Sequence, residues 1–224
     1  VIIPCFNEAA TIGALVEAAR PHVLAVWVAD DGSSDTTRMA AERAGAVVRR
    51  SETNLGKGAA LRDGLGALRA AGFEWALTLD GDGQHDAAEI PKFLAQIAAE
   101  NLGNAKGVDL VIGNRMPEAG LMSGVRRVVN RWMSRKISAR LGLDCPDSQC
   151  GFRLVRLEAW AQLQSRIRAN HYEVESEMLT EFARAGFKIA FVPVRVLHAP
   201  RPSRIRPVTD SMRWFAWWLG FNRT

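Results

Sequence analysis

The chain has 224 residues, 48% of them hydrophobic and 24% charged, with a formal net charge of +5. That balance suits one α/β domain and excludes a disordered tract, and no apolar run nears the roughly 18 residues of a membrane-crossing helix. Residues 1–114 hold ten Lys and Arg against fifteen Asp and Glu, whereas residues 115–224 hold nineteen against nine, so the first half suits a cation and the second suits phosphates, nucleic acid or anionic lipid.

The opening Val1-Ile2-Ile3-Pro4 reads as a buried strand rather than a secretory leader. Further strands are expected at 25–31, 46–49, 75–80 and 109–115, with helical patterns near 9–20, 35–44, 57–71 and 87–100 between them. This alternation predicts an α/β fold with a mostly parallel sheet flanked by helices, whose C-terminal strand ends share one edge. In the second half a helix near 123–142 leads to a strand at 151–155, a helix near 173–185 and a strand near 189–196. A Pro/Arg-rich loop over 200–207 precedes a final Trp-rich helix. No repeat or linker composition interrupts the chain, so one domain over 1–224 is expected. Cys5, Cys145 and Cys150 lack CxxC spacing and read as reduced thiols in a cytosolic protein.

Polar clusters follow the strands directly. In Asp80-Gly81-Asp82-Gly83-Gln84-His85, two carboxylates one residue apart offer oxygen ligands to a hard divalent cation, and the glycines allow close approach to a ligand. Asp30-Asp31-Gly32-Ser33-Ser34-Asp35 ends a strand on two acids, one of which can accept hydrogen bonds from a base or ribose, while Ser34 or Asp35 caps the next helix. Asn54-Leu55-Gly56-Lys57-Gly58 opens a helix and sets Lys57 where a diphosphate would meet its N-terminus, although the full phosphate-loop pattern is absent.

Together these segments resemble the family 2 glycosyltransferases, which have a GT-A fold. Pro4-Cys5-Phe6-Asn7-Glu8 is similar to that family's P-x-(Y/F)-N-E, and the other three clusters are similar to its D-D-G-S-x-D-x-T, N-x-G-K-G and D-x-D-x-Q-H. The resemblance implies that Pro4, Asn7, Glu8 and Asp31 line a nucleotide pocket, together with Lys57, Asp80 and Gly81. It implies too that Asp80, Asp82 and Gln84 hold Mg²⁺ or Mn²⁺ against the diphosphate of a UDP- or GDP-sugar. Gly113-Asn114-Arg115, Asp147 to Arg153 and Ser203-Arg204-Ile205-Arg206-Pro207 resemble segments of the polyprenyl-phosphate sugar transferases. That branch implies inverting transfer to a dolichyl- or undecaprenyl-type phosphate, with residues 1–114 serving donor and metal and residues 115–224 the acceptor.

The acceptor side can also be read from its charges. Arg127, Arg131 and Arg135 recur every four residues on an acid-free helix, opposite a stripe of Val125, Val129, Met133, Ile137 and Leu141, and so form an expected phosphate-binding face. Gln149, Ser203 and Arg206 join them as acceptor candidates, and Arg115 and Arg131 join Asp80 and Asp82 as catalytic candidates. The Trp and Arg of the last helix suit a membrane–water interface, which places the protein in the cytoplasm, peripheral at the inner membrane face. A lipid phosphate needs no general base; a hydroxyl acceptor would need one, for which Asp147, Glu175 and Glu177 are candidates. A sugar nucleotidyltransferase fits the strand-end motifs less well. A nucleic-acid module is disfavoured because the aromatics cluster at one end, so no nucleic acid is expected as a partner.

Overall fold

The computed structural model describes residues 1–103, 107–197 and 207–221. Seven strands form one sheet: β1 (Ile2–Cys5), β2 (Trp27–Asp30), β3 (Val47–Arg50), β4 (Trp75–Thr78), β5 (Leu110–Asn114), β6 (Arg153–Arg156) and β7 (Ile189–Pro193). Their order is β3-β2-β1-β4-β6-β5-β7. Between β1 and β5 run α1 (Ile12–Ala19), α2 (Thr37–Arg43), α3 (Lys57–Ala70) and α4 (Ile90–Gly103). Beyond β5 come α5 (Gly124–Leu141), α6 (Leu157–Leu163), α7 (Val174–Arg184) and α8 (Pro207–Phe221). Helix α6 follows β6 directly and carries no sequence expectation; its buried Leu157, Trp160 and Leu163 show a short helical apolar period.

Ile2, Ile3, Val28 and the Leu110-Val111-Ile112 run are fully buried, as expected for strands covered on both faces. β1 pairs in parallel with β2 and β4, and β5 with β7. β6 alone reverses, lying antiparallel between β4 and β5. The reversal has a consequence for chemistry. It brings the residues before β6, Asp147 to Gly151, to the edge where β1, β2, β4 and β5 end.

Cys5, Cys145 and Cys150 are buried free thiols, and burial pushes the latter two up to about 12. Among the described residues no helix is long and apolar enough to cross a membrane.

Residues 169–170 press on the start of α3. The Gly58 N–H donates to Asn170 O at 2.8 Å, and Arg62 donates to Ala169 O at 2.5 Å. A Cβ on Gly58 would come within 2.1 Å of Ala169 O, a backbone atom that cannot swing aside. Alanine normally stabilises a helix interior over glycine by about 1 kcal/mol. Here the sign should invert: Gly58→Ala should lose about 1–3 kcal/mol, read as a lower denaturation midpoint with an unchanged m-value.

Candidate active site

The carboxylates leave the sheet where Leu79 N–H still donates to Ile2 O. Asp80 accepts from Lys57 Nζ at 2.5 Å and faces His85 Nε2 at 3.3 Å. Burial would raise the Asp80 carboxyl, but the Lys57 charge and the His85 hydrogen bond outweigh it and hold it well below the carboxylate range. Lys57 also lies 2.5 Å from Glu175 Oε1. Burial works against its charge, yet the two carboxylates prevail and raise its pKa. Asp82 accepts from Gln84 twice, from the backbone N–H at 3.0 Å and from Nε2 at 2.7 Å. The two carboxylates therefore meet in one cleft with Gln84, His85, Arg115 and Arg126.

The glycines of this turn meet different local demands. A Cβ on Gly81 would lie 2.7 Å from Cys5 Sγ and 3.2 Å from Pro4 O, so the turn rests directly on the end of β1. Gly83 takes a positive φ of 74°. A Cβ on Gly151 would lie 2.4 Å from Asp80 Oδ1, so the segment entering β6 forms a wall of the same cleft.

On the nucleotide side, Asn7 holds a left-handed φ of 54° and its Oδ1 accepts from the N–H groups of Ser34 and Asp35. Glu8 is buried, with its N–H donating to Thr37 Oγ1. Asp35 caps the first turn of α2 through Thr37 N–H at 2.9 Å. Asp31 has a structural task as well: its two oxygens accept from Leu55 and Gly56 N–H at 2.8 and 2.7 Å and clamp the loop that delivers Lys57. Its neighbour Asp30 accepts from Ser33 N–H, and its buried Oδ2 makes no hydrogen bond but lies 3.6 Å from Arg50 Nε in an ion pair.

On the far side, Arg115 forms a two-pronged pair with the wholly buried Asp147 at 2.8 and 2.9 Å. Asn130 Nδ2 and Gln149 N–H also donate to Asp147. That removes Asp147 as a base for a hydroxyl acceptor. Glu175 is tied to Lys57, and Glu177 accepts from Ala169 N–H at 2.7 Å. Asp147 and Glu175 are thus held by cations, whereas Glu177 has this backbone bond and burial pushes its carboxyl up. Gln149 donates to Ser148 and Ser176 hydroxyls, a brace to α7 rather than a free acceptor contact.

The arginine stripe is not placed as expected. Arg131 and Arg135 line a groove of about 630 Å³ with Ser134, Ser138 and Cys145, and not the carboxylate cleft. Arg126, overlooked in the sequence, faces Asp80 and Asp82, with Nη1 donating to Gln84 Oε1 at 3.3 Å. The reason is rotation: Arg131 lies about 140° around the helix from Arg126, and the apolar set drifts by about 120° between Val125 and Ile137. Accordingly Val125 and Val129 are exposed while Met133 and Ile137 are buried. The signal for Arg126 was available, since it lies one turn before Asn130, whose side chain turns inward to Asp147. Ser203 and Arg206 lie outside the described residues.

A profile described as Glycosyl transferase family 2 matches residues 1–163. The chain belongs to that family. It is 33% identical over 218 residues to glycosyltransferase AglJ of Haloferax volcanii, a match covering 94% of this chain and 67% of AglJ. It is 28% identical to the undecaprenyl-phosphate mannosyltransferase of Micrococcus luteus, covering 86% and 81%. Among solved structures it resembles Mycobacterium tuberculosis glucosyl-3-phosphoglycerate synthase in complex with Mn²⁺, UDP-glucose and phosphoglyceric acid. That match has a TM-score of 0.73 and 25% identity and covers 98% and 77% of the two chains. The mixed seven-stranded sheet is thus a GT-A fold, and the protein is a glycosyltransferase.

The Arg115–Asp147 pair should dominate local stability of this transferase. Burial alone would raise the Asp147 carboxyl, but the Arg115 charge and the hydrogen bonds from Arg115 and Asn130 hold it below its usual value. A depressed carboxyl contributes stability above the unfolded pKa and loses it as pH falls through the folded one. Asp147→Asn should therefore cost about 3–5 kcal/mol at pH 7. In urea titrations at several pH values, its gap from the unsubstituted protein should close below about pH 4.

Proposed function

We propose that this glycosyltransferase catalyses metal-dependent, inverting transfer of a sugar from a UDP- or GDP-sugar to a polyprenyl phosphate. The observation that carries the acceptor reading is that Arg126 and Arg115 share one cleft with Asp80 and Asp82, a cleft that Asp147, Glu175 and Glu177 do not line. A phosphate acceptor has a second pKa of about 6, so it is already a nucleophile at neutral pH and needs charge neutralisation more than proton removal.

Asp80 and Asp82 suit Mg²⁺ or Mn²⁺ chemically, as paired hard oxygen donors beside the Gln84 amide. Among the described residues no third acidic, His or Cys side chain completes a cluster, which fits a cation that takes further oxygens from a diphosphate. When bound, it would supply charge neutralisation for the departing nucleotide diphosphate. Support also comes from the Mn²⁺ and UDP-glucose complex of the mycobacterial synthase and from the lipid-phosphate acceptor in the name of the Micrococcus relative.

The chain's own residues divide the work. Asn7, Glu8 and the clamp made by Asp31 shape the nucleotide side. Lys57 is delivered by its clamped loop to the cleft, where a diphosphate would compete for it with Asp80 and Glu175. Arg126, engaged through one nitrogen by Gln84, orients the acceptor phosphate, while Arg115 is held by Asp147 and adds its charge from the cleft wall. The acceptor oxygen forms its bond to the anomeric carbon as the bond to the nucleotide diphosphate oxygen breaks.

Release of UDP or GDP from a panel of sugar nucleotides, with Mn²⁺ or EDTA and with or without polyprenyl phosphate, tests this. Turnover should require both metal and lipid phosphate. Donor binding with turnover on phosphoglycerate instead would move the acceptor to a small phosphorylated acid. Asp82→Asn should abolish metal-dependent donor binding, and Arg126→Ala should lower kcat about 100-fold, with nucleotide affinity measured by calorimetry retained.

A further inference from the structure

Two helices outside the cleft leave apolar stripes uncovered. On α5, Val125, Val128, Val129 and Trp132 follow i, i+3, i+4, i+7 spacing, and Val125 and Val128 are 73% and 66% exposed. On α8, Met212, Phe215 and Leu219 follow i, i+3, i+7, with exposures of 66%, 45% and 60%. The stripes are joined. Trp132 lies 5.4 Å from the Phe215 ring and 5.6 Å from Trp214. Trp214 is buried, stacks on Trp218 and donates its Nε1 hydrogen to Ser176 at 2.9 Å. Trp214 therefore fixes α8 against the body of the protein, while the outer stripe is held rigidly toward solvent. The result is a preformed face rather than a loose tail.

The charges around this face have one sign. Helix α5 carries Arg126, Arg127, Arg131, Arg135, Lys136 and Arg140 and no acid. Lys136 sits over the Trp132 ring at 5.8 Å. Arg131 and Arg135 make no ion pair among the described residues and flank the apolar stripe, with exposed Asp144 the one acid lining their groove. On α8 the sole acid, Asp210, pairs with Arg213 at 3.3 Å. A second copy of the chain is a poor occupant, because two-fold pairing of this face would set one cation stripe against another. An apolar stripe edged by unpaired cations instead complements acyl chains beneath anionic headgroups.

We propose that the α5–α8 face is a membrane-docking surface that seats the protein on an anionic bilayer, with the two stripes inserted at the headgroup boundary and the α5 cations on lipid phosphates. The inference extends the polyprenyl-phosphate reading, since Arg126 on the same α5 faces the cleft and would draw its acceptor from that bilayer. It stands on the geometry of the face.

The probe is co-sedimentation with phosphatidylcholine vesicles, with and without phosphatidylglycerol. The unsubstituted chain should bind phosphatidylglycerol vesicles at least tenfold more tightly, and 0.5 M salt should reduce that preference. The double variant Val125→Glu, Val128→Glu replaces exposed side chains, so it should keep its thermal midpoint and nucleotide affinity and lose vesicle binding at least tenfold. Unchanged binding by the variant, or no preference for anionic vesicles, overturns the proposal. So does a concentration-dependent dimer in sedimentation equilibrium that the variant abolishes. Turnover on a short, water-soluble prenyl phosphate separates the two readings: both proteins should use it equally, and its rejection by both would sink the lipid-phosphate acceptor while leaving the docking result intact.

Discussion

Asp147 is a full negative charge with no access to water, and the second half of the molecule is arranged around satisfying it. Arg115 from the end of β5, Asn130 from α5 and the Gln149 N–H all converge on its two oxygens. A lone buried charge is far costlier than a paired one, so these partners must assemble together or not at all. Their assembly locks the segment before β6 against the sheet edge. Arg153 completes the lock by donating to three carbonyls, of Cys150, Ser148 and Glu175. The reversed strand is the geometric outcome, and it carries Gly151 against Asp80.

The first half solves a similar problem with different groups. Lys57, Asp80 and Glu175 form a charge chain that links the start of α3, the end of β4 and α7. Donor-side and acceptor-side elements are therefore connected through one ammonium. On the proposed reading a diphosphate would compete for the same ammonium, which would couple nucleotide binding to the position of α7. The clamp of Asp31 on Leu55 and Gly56 keeps that lysine in reach.

The site also explains why few residues are free to do chemistry. Most polar groups at the sheet edge are already bound to each other, and such a network is rigid only when every member is satisfied. Arg126 is an exception: it lines the carboxylate cleft with one hydrogen bond, to Gln84 Oε1. The exposed α5–α8 face lies outside this network.

The sequence by itself determined the strand-end motifs, the α/β alternation and the family, because strand polarity puts Asn7-Glu8, Asp30-Asp31 and Asp80-Asp82 at one edge whatever the loops do. The acid-free character of α5 was equally legible. What the sequence left open is which member of each cluster faces a ligand. Asp30 and Asp31 have identical side chains, and only the fold spends the second on Leu55 and Gly56. Asp147, Glu175 and Glu177 were equal candidates until their partners, drawn from distant segments, were in place. Arg126 rather than Arg131 lines the carboxylate cleft because the rotation of α5 about its axis is set by burying Asn130, Met133 and Ile137, not by the spacing of its arginines. Hydrogen-bond partners and helix rotation are long-range properties, decided by packing between elements; local pattern has no access to them.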